Sequence, residues 1–273
     1  MTDARAAVKS ATDNQWFEKA ARAGFAISGV LHLLIAYIVL RLALGGPSPS
    51  GNADQSGALA TLASQPGGAV MLWAAVAGLV ALGAWRLAET VLGSHPGEGS
   101  GRRSEDNGAM NRFKAFALAV VYFAMAVSAA RFAIGSGKST SRQNAGMTAQ
   151  MMQSGWGRIL LVLVGLVVIG IGGYHVYKGV SKRFEKDLKV SLGRGITALG
   201  VGGYTAKGLV FVGAGVLVLV ATLRFDPSKA TGIDGALKTL GAAPFGKFLL
   251  IAAALGIAAF GAYSFVRARY ARM

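Results

Sequence analysis

A stretch of 28 residues occurs three times in this chain, and that repetition restricts the fold more than any composition value. The third copy, Ala236 to Tyr263, reads ALKTLGAAPFGKFLLIAAALGIAAFGAY. The first begins at Ala58 and reads ALATLASQPGGAVMLWAAVAGLVALGAW. A looser copy, beginning at Met147, lies between them and reads MTAQMMQSGWGRILLVLVGLVVIGIGGY. Fixed points recur 89 residues apart: Gly83, Gly172 and Gly261; Trp85, Tyr174 and Tyr263; Gly68, Gly157 and Gly246. Self-similarity at a fixed period means that one structural unit is built several times over.

Composition says where such units sit. Of the 273 residues 53% are hydrophobic, the mean hydropathy is +0.49, and only 15% are charged. Soluble domains carry about 25% charged residues. Apolar runs of roughly 20 residues, the length that crosses ~30 Å of hydrocarbon as a helix, recur at 22–44, 68–92, 112–135, 156–179, 196–223 and 245–268. The 39 glycines suit helices in lipid better than helices in water. The expected fold is all-α: a six-span polytopic membrane bundle of three parallel helical-hairpin repeats with pseudo-threefold symmetry. Its segments are a tail at 1–21, hairpins at 22–92, 112–179 and 196–268, linkers at 93–111 and 180–195, and a tail at 269–273. Residues 1–21 are polar and have no apolar core ahead of a cleavage site, so the first span is expected to act as an uncleaved anchor. Cysteine is absent, which excludes disulfides, thiol catalysis and Cys-ligated zinc, haem or iron–sulfur centres.

The +16 net charge is a topology signal when its placement is considered. Six spans put both termini on one side. That side carries 18 Lys and Arg, the other carries 9, and Lys207 lies between. The positive-inside rule then makes both termini cytoplasmic, in the inner membrane of a bacterium. The basic residues are expected to contact the bilayer and its anionic lipid head groups, not nucleic acid.

Each hairpin unit has recognisable parts. Span 1 opens with Gly24-Phe25-Ala26-Ile27-Ser28-Gly29, and span 5 repeats the pattern as Gly203-Tyr204-Thr205-Ala206-Lys207-Gly208. In span 3 Ala119 stands against Gly29 and Tyr122 against His32. Leu59 and Leu62 match Leu237 and Leu240, with Met151 at the second position in the middle unit. Apolar residues three apart share a helix face, which predicts a short amphipathic helix on the outer interface before each even-numbered span. Ser181 to Lys189 reads as a short charged helix. Glycine pairs five apart occur in five spans: Gly24/Gly29, Gly78/Gly83, Gly165/Gly170, Gly203/Gly208 and Gly256/Gly261. Five residues turn a helix by about 140° from a whole number of turns, so the two glycines of a pair are expected to face different neighbours. Small residues let helix backbones approach closely in lipid.

Three tandem hairpins, the glycine-bounded opening and the Ala-Leu to Gly-x-aromatic second half resemble an uncharacterised family of bacterial membrane proteins, domain of unknown function 1206. The resemblance covers about residues 17 to 270, and its middle repeat lacks the opening glycines and the proline. It implies a six-span membrane protein and supplies no catalytic residue.

The candidate chemistry is sparse. Gly135-Ser136-Gly137-Lys138-Ser139-Thr140 looks like a phosphate loop, but Phe132 stands where the first glycine should be and no strand precedes it; it is expected to be an ordinary loop. Lys207 lies mid-span, where a charge costs ~2.5–3.5 kcal/mol or more. An ionisable group there is a functional candidate by default, with snorkelling to the interface as the structural alternative. His32 is mid-span in helix 1 and His175 in the inner half of helix 4. They could relay protons or bind a ligand, although depths roughly two turns apart argue against one shared haem plane. Arg86 could pair with Glu89 along its helix. Arg41, Arg131, Arg158, Arg224 and Lys247 form a candidate outer basic rim. No catalytic triad, paired carboxylates or metal-ligand spacing is present, so an enzyme is not expected and no cofactor is called for. Two functions remain: a six-helix bundle that binds or passes a small solute, lipid or anion, with Lys207 and His32 facing its interior, or a structural or accessory subunit packing against a membrane-protein partner.

Overall fold

In the computed structural model, which describes residues 15–46, 51–92, 108–190 and 193–271, six long helices carry the chain back and forth. They are α1 (Gln15–Ala43), α3 (Gly68–Leu92), α4 (Gly108–Ala133), α6 (Gly155–Val180), α7 (Arg194–Arg224) and α9 (Gly246–Tyr270). Each contains a stretch long and apolar enough to cross a membrane. Three short helices, α2 (Gln55–Ala63), α5 (Thr140–Met152) and α8 (Ile233–Ala242), precede the even-numbered spans. No strand occurs among the described residues.

The repeat alignment explains how the long helices pack. The closest helix pairs are α1 with α9, α4 with α3 and α7 with α6. These crossings fall at equivalent positions. A Cβ on Gly29 would stand 3.0 Å from the carbonyl oxygen of Gly261, and one on Gly261 would stand 3.0 Å from that of Gly29. The α7–α6 crossing is reciprocal too, with a Cβ on Gly208 or Gly172 lying 2.6 Å from the other's carbonyl. At the third crossing Gly83 meets the ring of Phe123 at 3.0 Å, and Ala119 occupies the place of Gly29 and Gly208. One contact is therefore made three times by residues 89 or 90 apart, which is pseudo-threefold symmetry between parallel repeats.

The helices lie in chain order around a ring that α9 closes against α1. Within the hairpins packing is uneven: α7 and α9 pack closely, α1 and α3 less so, and α4 and α6 barely touch. The glycine pairs report the same asymmetry. Gly24 faces Leu82 of α3 whereas Gly29 faces α9; Gly203 faces Phe260 of α9 whereas Gly208 faces α6; Gly256 faces Ala206 of α7 whereas Gly261 faces α1. The pair Gly165/Gly170 departs from the expectation. Gly165 meets Leu219 and Gly215 of α7, but nothing lies within 4 Å of Gly170. The neighbour it would face is α4, which does not close on α6.

The aligned glycines at the starts of α3, α6 and α9 have a separate cause. A Cβ on Gly68, Gly157 or Gly246 would run into the backbone carbonyl of Leu62, Met151 or Gly241. Only glycine lets each long helix start that close to the end of the short helix before it.

The short helices are more deeply placed than expected. They pack at one end of the ring, α2 most deeply, with Ser56, Gly57, Ala58, Leu59 and Thr61 all buried, whereas α5 buries only Ser141 and Thr148. Leu59 and Leu237 are 2% and 1% exposed and join a core formed mainly by α1, α3, α4 and α9. At the other end the segment Ser181–Lys189 forms a 3-10 turn at Arg183–Asp187, not an α-helix. It is short because its purpose in the packing is to insert Phe184, fully buried between Tyr204 and Tyr263. Leu188 then bridges to Ala271. The sequence resembling a phosphate loop is a turn at Gly135 followed by Ser139, which caps α5 by accepting from the Arg142 N–H at 3.4 Å.

Candidate functional site

Lys207 sits on α7 next to Gly208 of the α6 crossing, where the helix is held against both α6 and α9. Its Nζ lies 4.1 Å from the centroid of the Phe260 ring on α9. The other face of this neighbourhood comes from α1, where His32 packs against the same Phe260 ring with centroids 4.7 Å apart. The His32 Nδ1 donates to the Ser28 carbonyl at 2.7 Å. A carbonyl can only accept, so in the neutral ring Nε2 carries the free lone pair. His175 on α6 is held in the same manner, its Nδ1 donating to the Ile171 carbonyl at 2.8 Å. Its ring stacks on Phe211 and lies against Tyr204, both on α7. Tyr204 in turn packs edge-on against Phe260 and so links His175 to the Lys207–His32 pair. The structure thus brings Lys207, His32 and His175 into one neighbourhood, in the inner half of the ring between α1, α6, α7 and α9.

This neighbourhood is cationic and aromatic. Among the described residues Lys207 has no carboxylate partner and no hydrogen bond; its one specific contact is the cation–π contact with Phe260, an interaction worth ~0.5–2 kcal/mol. The Thr205 hydroxyl and the Arg267 Nε are buried without a hydrogen-bond partner. Nearer the inner end, Lys178 pairs with Asp187 at 2.5 Å and lies over Tyr204. Tyr263 donates to the Phe184 carbonyl at 3.3 Å, and Glu185 accepts from Thr197 at 2.8 Å. Phe184 thereby packs among the aromatic side chains of α7 and α9 at the inner end.

The other predicted residues do not join this group. Arg86 stands on α3, and its predicted partner Glu89 lies outside the described side chains; the Arg86 carbonyl accepts from Thr90 at 2.8 Å. The rim residues occupy five separate helix ends. Arg41 donates to the Tyr37 hydroxyl at 3.3 Å, Arg158 lies over Phe225 at 5.2 Å, and Arg131, Arg224 and Lys247 are exposed. They surround no open mouth.

What closes that mouth was not anticipated from sequence. Asp54, Ser141 and Asp234, from the N-terminal ends of α2, α5 and α8, meet inside the ring and are all buried. The Ser141 hydroxyl lies 3.3 Å from Asp54 Oδ2 and 3.1 Å from Asp234 Oδ2 and shares its one proton between them. Asp54 Oδ1 caps α2 through the Gly57 N–H at 3.1 Å and accepts from Ser56 at 2.5 Å. Asp234 Oδ1 accepts from the Ala53 N–H at 2.7 Å, and its Oδ2 accepts from Lys238 at 2.9 Å. One clasp therefore joins all three repeats.

Comparison with known proteins adds a family and no activity. The family described as Domain of Unknown Function (DUF1206) matches the chain in three tandem stretches, residues 23–93, 113–182 and 202–271. A protein of Bacillus subtilis (strain 168), the uncharacterized protein YxxB, is 29% identical over 264 residues, spanning 94% of this chain and 92% of its own. No solved structure matches.

Proposed function

The chain belongs to the family described as Domain of Unknown Function (DUF1206), and from that premise we propose that it is a non-enzymatic multi-pass membrane protein whose bundle holds a small anion or an anionic lipid head group on Lys207. The observation that supports this reading is a half-buried ammonium in the middle of α7 with no carboxylate or hydrogen-bond partner among the described residues. An unpaired charge at that depth costs enough that a fold without use for it would do better with an apolar residue. The repeat does not need it: the equivalent residue of α1 is Ser28. An anion reaching Lys207 would have His32, packed on the same Phe260 ring, beside it. The protein resides in a bacterial inner membrane with both termini, and the Phe184 end, in the cytoplasm.

The test is a melting screen of wild type and Lys207→Met in detergent against phosphate, chloride and phosphatidylglycerol. A ligand of the folded state at 100 times its Kd adds ~2.7 kcal/mol of stability. One of these probes is expected to raise the melting temperature of wild type but not of Lys207→Met. Phosphate and phosphatidylglycerol separate a free anion from a lipid head group. If no probe stabilises wild type more than the variant, the reading fails.

The accessory-subunit alternative has one observation of its own. Gly170 and Gly173 face open space on α6, where a helix of a partner protein could approach closely.

A further inference from the structure

The outer half of the ring is not evenly filled, and the repeat shows why. Where α2 and α8 insert Leu59 and Leu237 into the core, the equivalent residue of α5 is Thr148. Where α1 places the buried Ile35, the equivalent residue of α7 is Ala214. Both replacements remove side-chain volume from the same third of the ring, and a cavity of about 360 Å³ lies there. Thr148 and Ala214 line it; Val164, Val168, Phe211 and Val218 supply the rest of its apolar wall. Its polar end is formed by Asp54, Gln55, Thr140 and Asn144. The cavity reaches the surface beside α6, where Val164, which lines it, is exposed. Its volume falls within the ~300–1,000 Å³ of small-molecule sites.

We infer that this cavity is a binding site for a single-chain amphiphile with a cationic amine head, admitted from the bilayer beside α6. Its apolar wall suits an alkyl chain. The choice of head group follows from Asp54. Its carboxylate is buried, and its partners are the Ser56 and Ser141 hydroxyls and the Gly57 N–H. No cation pairs with it among the described residues, whereas Asp234 has Lys238. A buried carboxylate attracts an ammonium and repels a second carboxylate. Gln55, Thr140 and Asn144 add uncharged hydrogen-bonding groups at the same end. This site is distinct from Lys207, which does not line the cavity.

The test uses the full chain in phosphatidylcholine nanodiscs, melted with dodecylamine, dodecanol or dodecanoate. Thr148→Leu and Ala214→Ile restore the residue types that the other repeats already carry, so each fills the cavity in a manner this fold accommodates. Dodecylamine is expected to raise the melting temperature of wild type by several degrees, dodecanol by less, and dodecanoate not at all. Both variants are expected to lose at least half of the dodecylamine shift, and Lys207→Met to keep it in full. The inference is overturned if dodecylamine fails to stabilise wild type, if its shift persists undiminished in both variants, or if dodecanoate matches it. Loss of the shift in Lys207→Met would assign the effect to the other site and overturn the inference equally.

Discussion

Gly170 and Gly172 lie two residues apart on α6 and face opposite surroundings, which makes them a sensitive test of the packing. A methyl on Gly172 would stand 2.6 Å from the Gly208 carbonyl and 2.7 Å from the Val212 nitrogen. Both obstacles are backbone, so the crossing must open to admit it, at ~1–3 kcal/mol for overpacking. A methyl on Gly170 meets nothing within 4 Å. Both substitutions gain the same helix preference of alanine over glycine, ~0.5–1 kcal/mol, so that gain cancels when they are compared. Gly170→Ala is therefore expected to be more stable than Gly172→Ala by about 1–3 kcal/mol. Gly83→Ala should fall between them, because its obstacle is the Phe123 ring at 3.0 Å, a side chain that can turn aside. Unfolding of the purified variants by sodium dodecyl sulfate, followed by circular dichroism, measures the order. Gly172→Ala as stable as Gly170→Ala would refute the α6–α7 crossing.

Asp234→Ala strands the Ala53 N–H inside the ring, while the Ser141 hydroxyl keeps Asp54. At ~1–3 kcal/mol for a buried group left unpaired, the same unfolding assay should show a loss of about 1–3 kcal/mol, and no change for the exposed Ser136→Ala. For orientation, single cysteines at Lys186 and Ser136 of this cysteine-free chain report on the two ends. In intact cells an impermeant thiol reagent is expected to label position 136 and spare position 186, and the reverse pattern would invert the topology.

The parts of the fold that come from apolar length and from repetition were legible in the sequence. Gly83, Gly172 and Gly261 aligned because they build the same crossing three times, and Gly68, Gly157 and Gly246 because each starts a helix against a carbonyl. Lys207 was legible because charge in an apolar run is expensive. The clasp escaped notice for the opposite reason. Asp54 aligns with Gln143 and Gly232, and Asp234 with Ser56 and Ala145, so the two carboxylates occupy different positions of the repeat. Comparing repeats discards such residues as divergence. The polar openings of α2 and α8 were the available signal, since a carboxylate at a helix start is a cap first and a tertiary contact only once the chain is folded. The gap between α4 and α6 left a trace in the middle repeat, which lacks the opening glycines. The cavity left another in Thr148, at the position that the other two repeats fill with leucine.

The central structural claim is that three parallel hairpins bring the starts of their short helices together at one end of the ring. Disulfide cross-linking in native membranes tests it most directly. Ser139 donates to the Asn52 side chain at 3.0 Å across two repeats, so Asn52→Cys with Ser139→Cys is expected to cross-link on mild oxidation. Asn52→Cys with Lys186→Cys, at opposite ends of the ring, is expected to stay uncoupled. A cross-link in the second pair and none in the first would contradict the account, because it is the result that an inverted arrangement of the first two repeats would give.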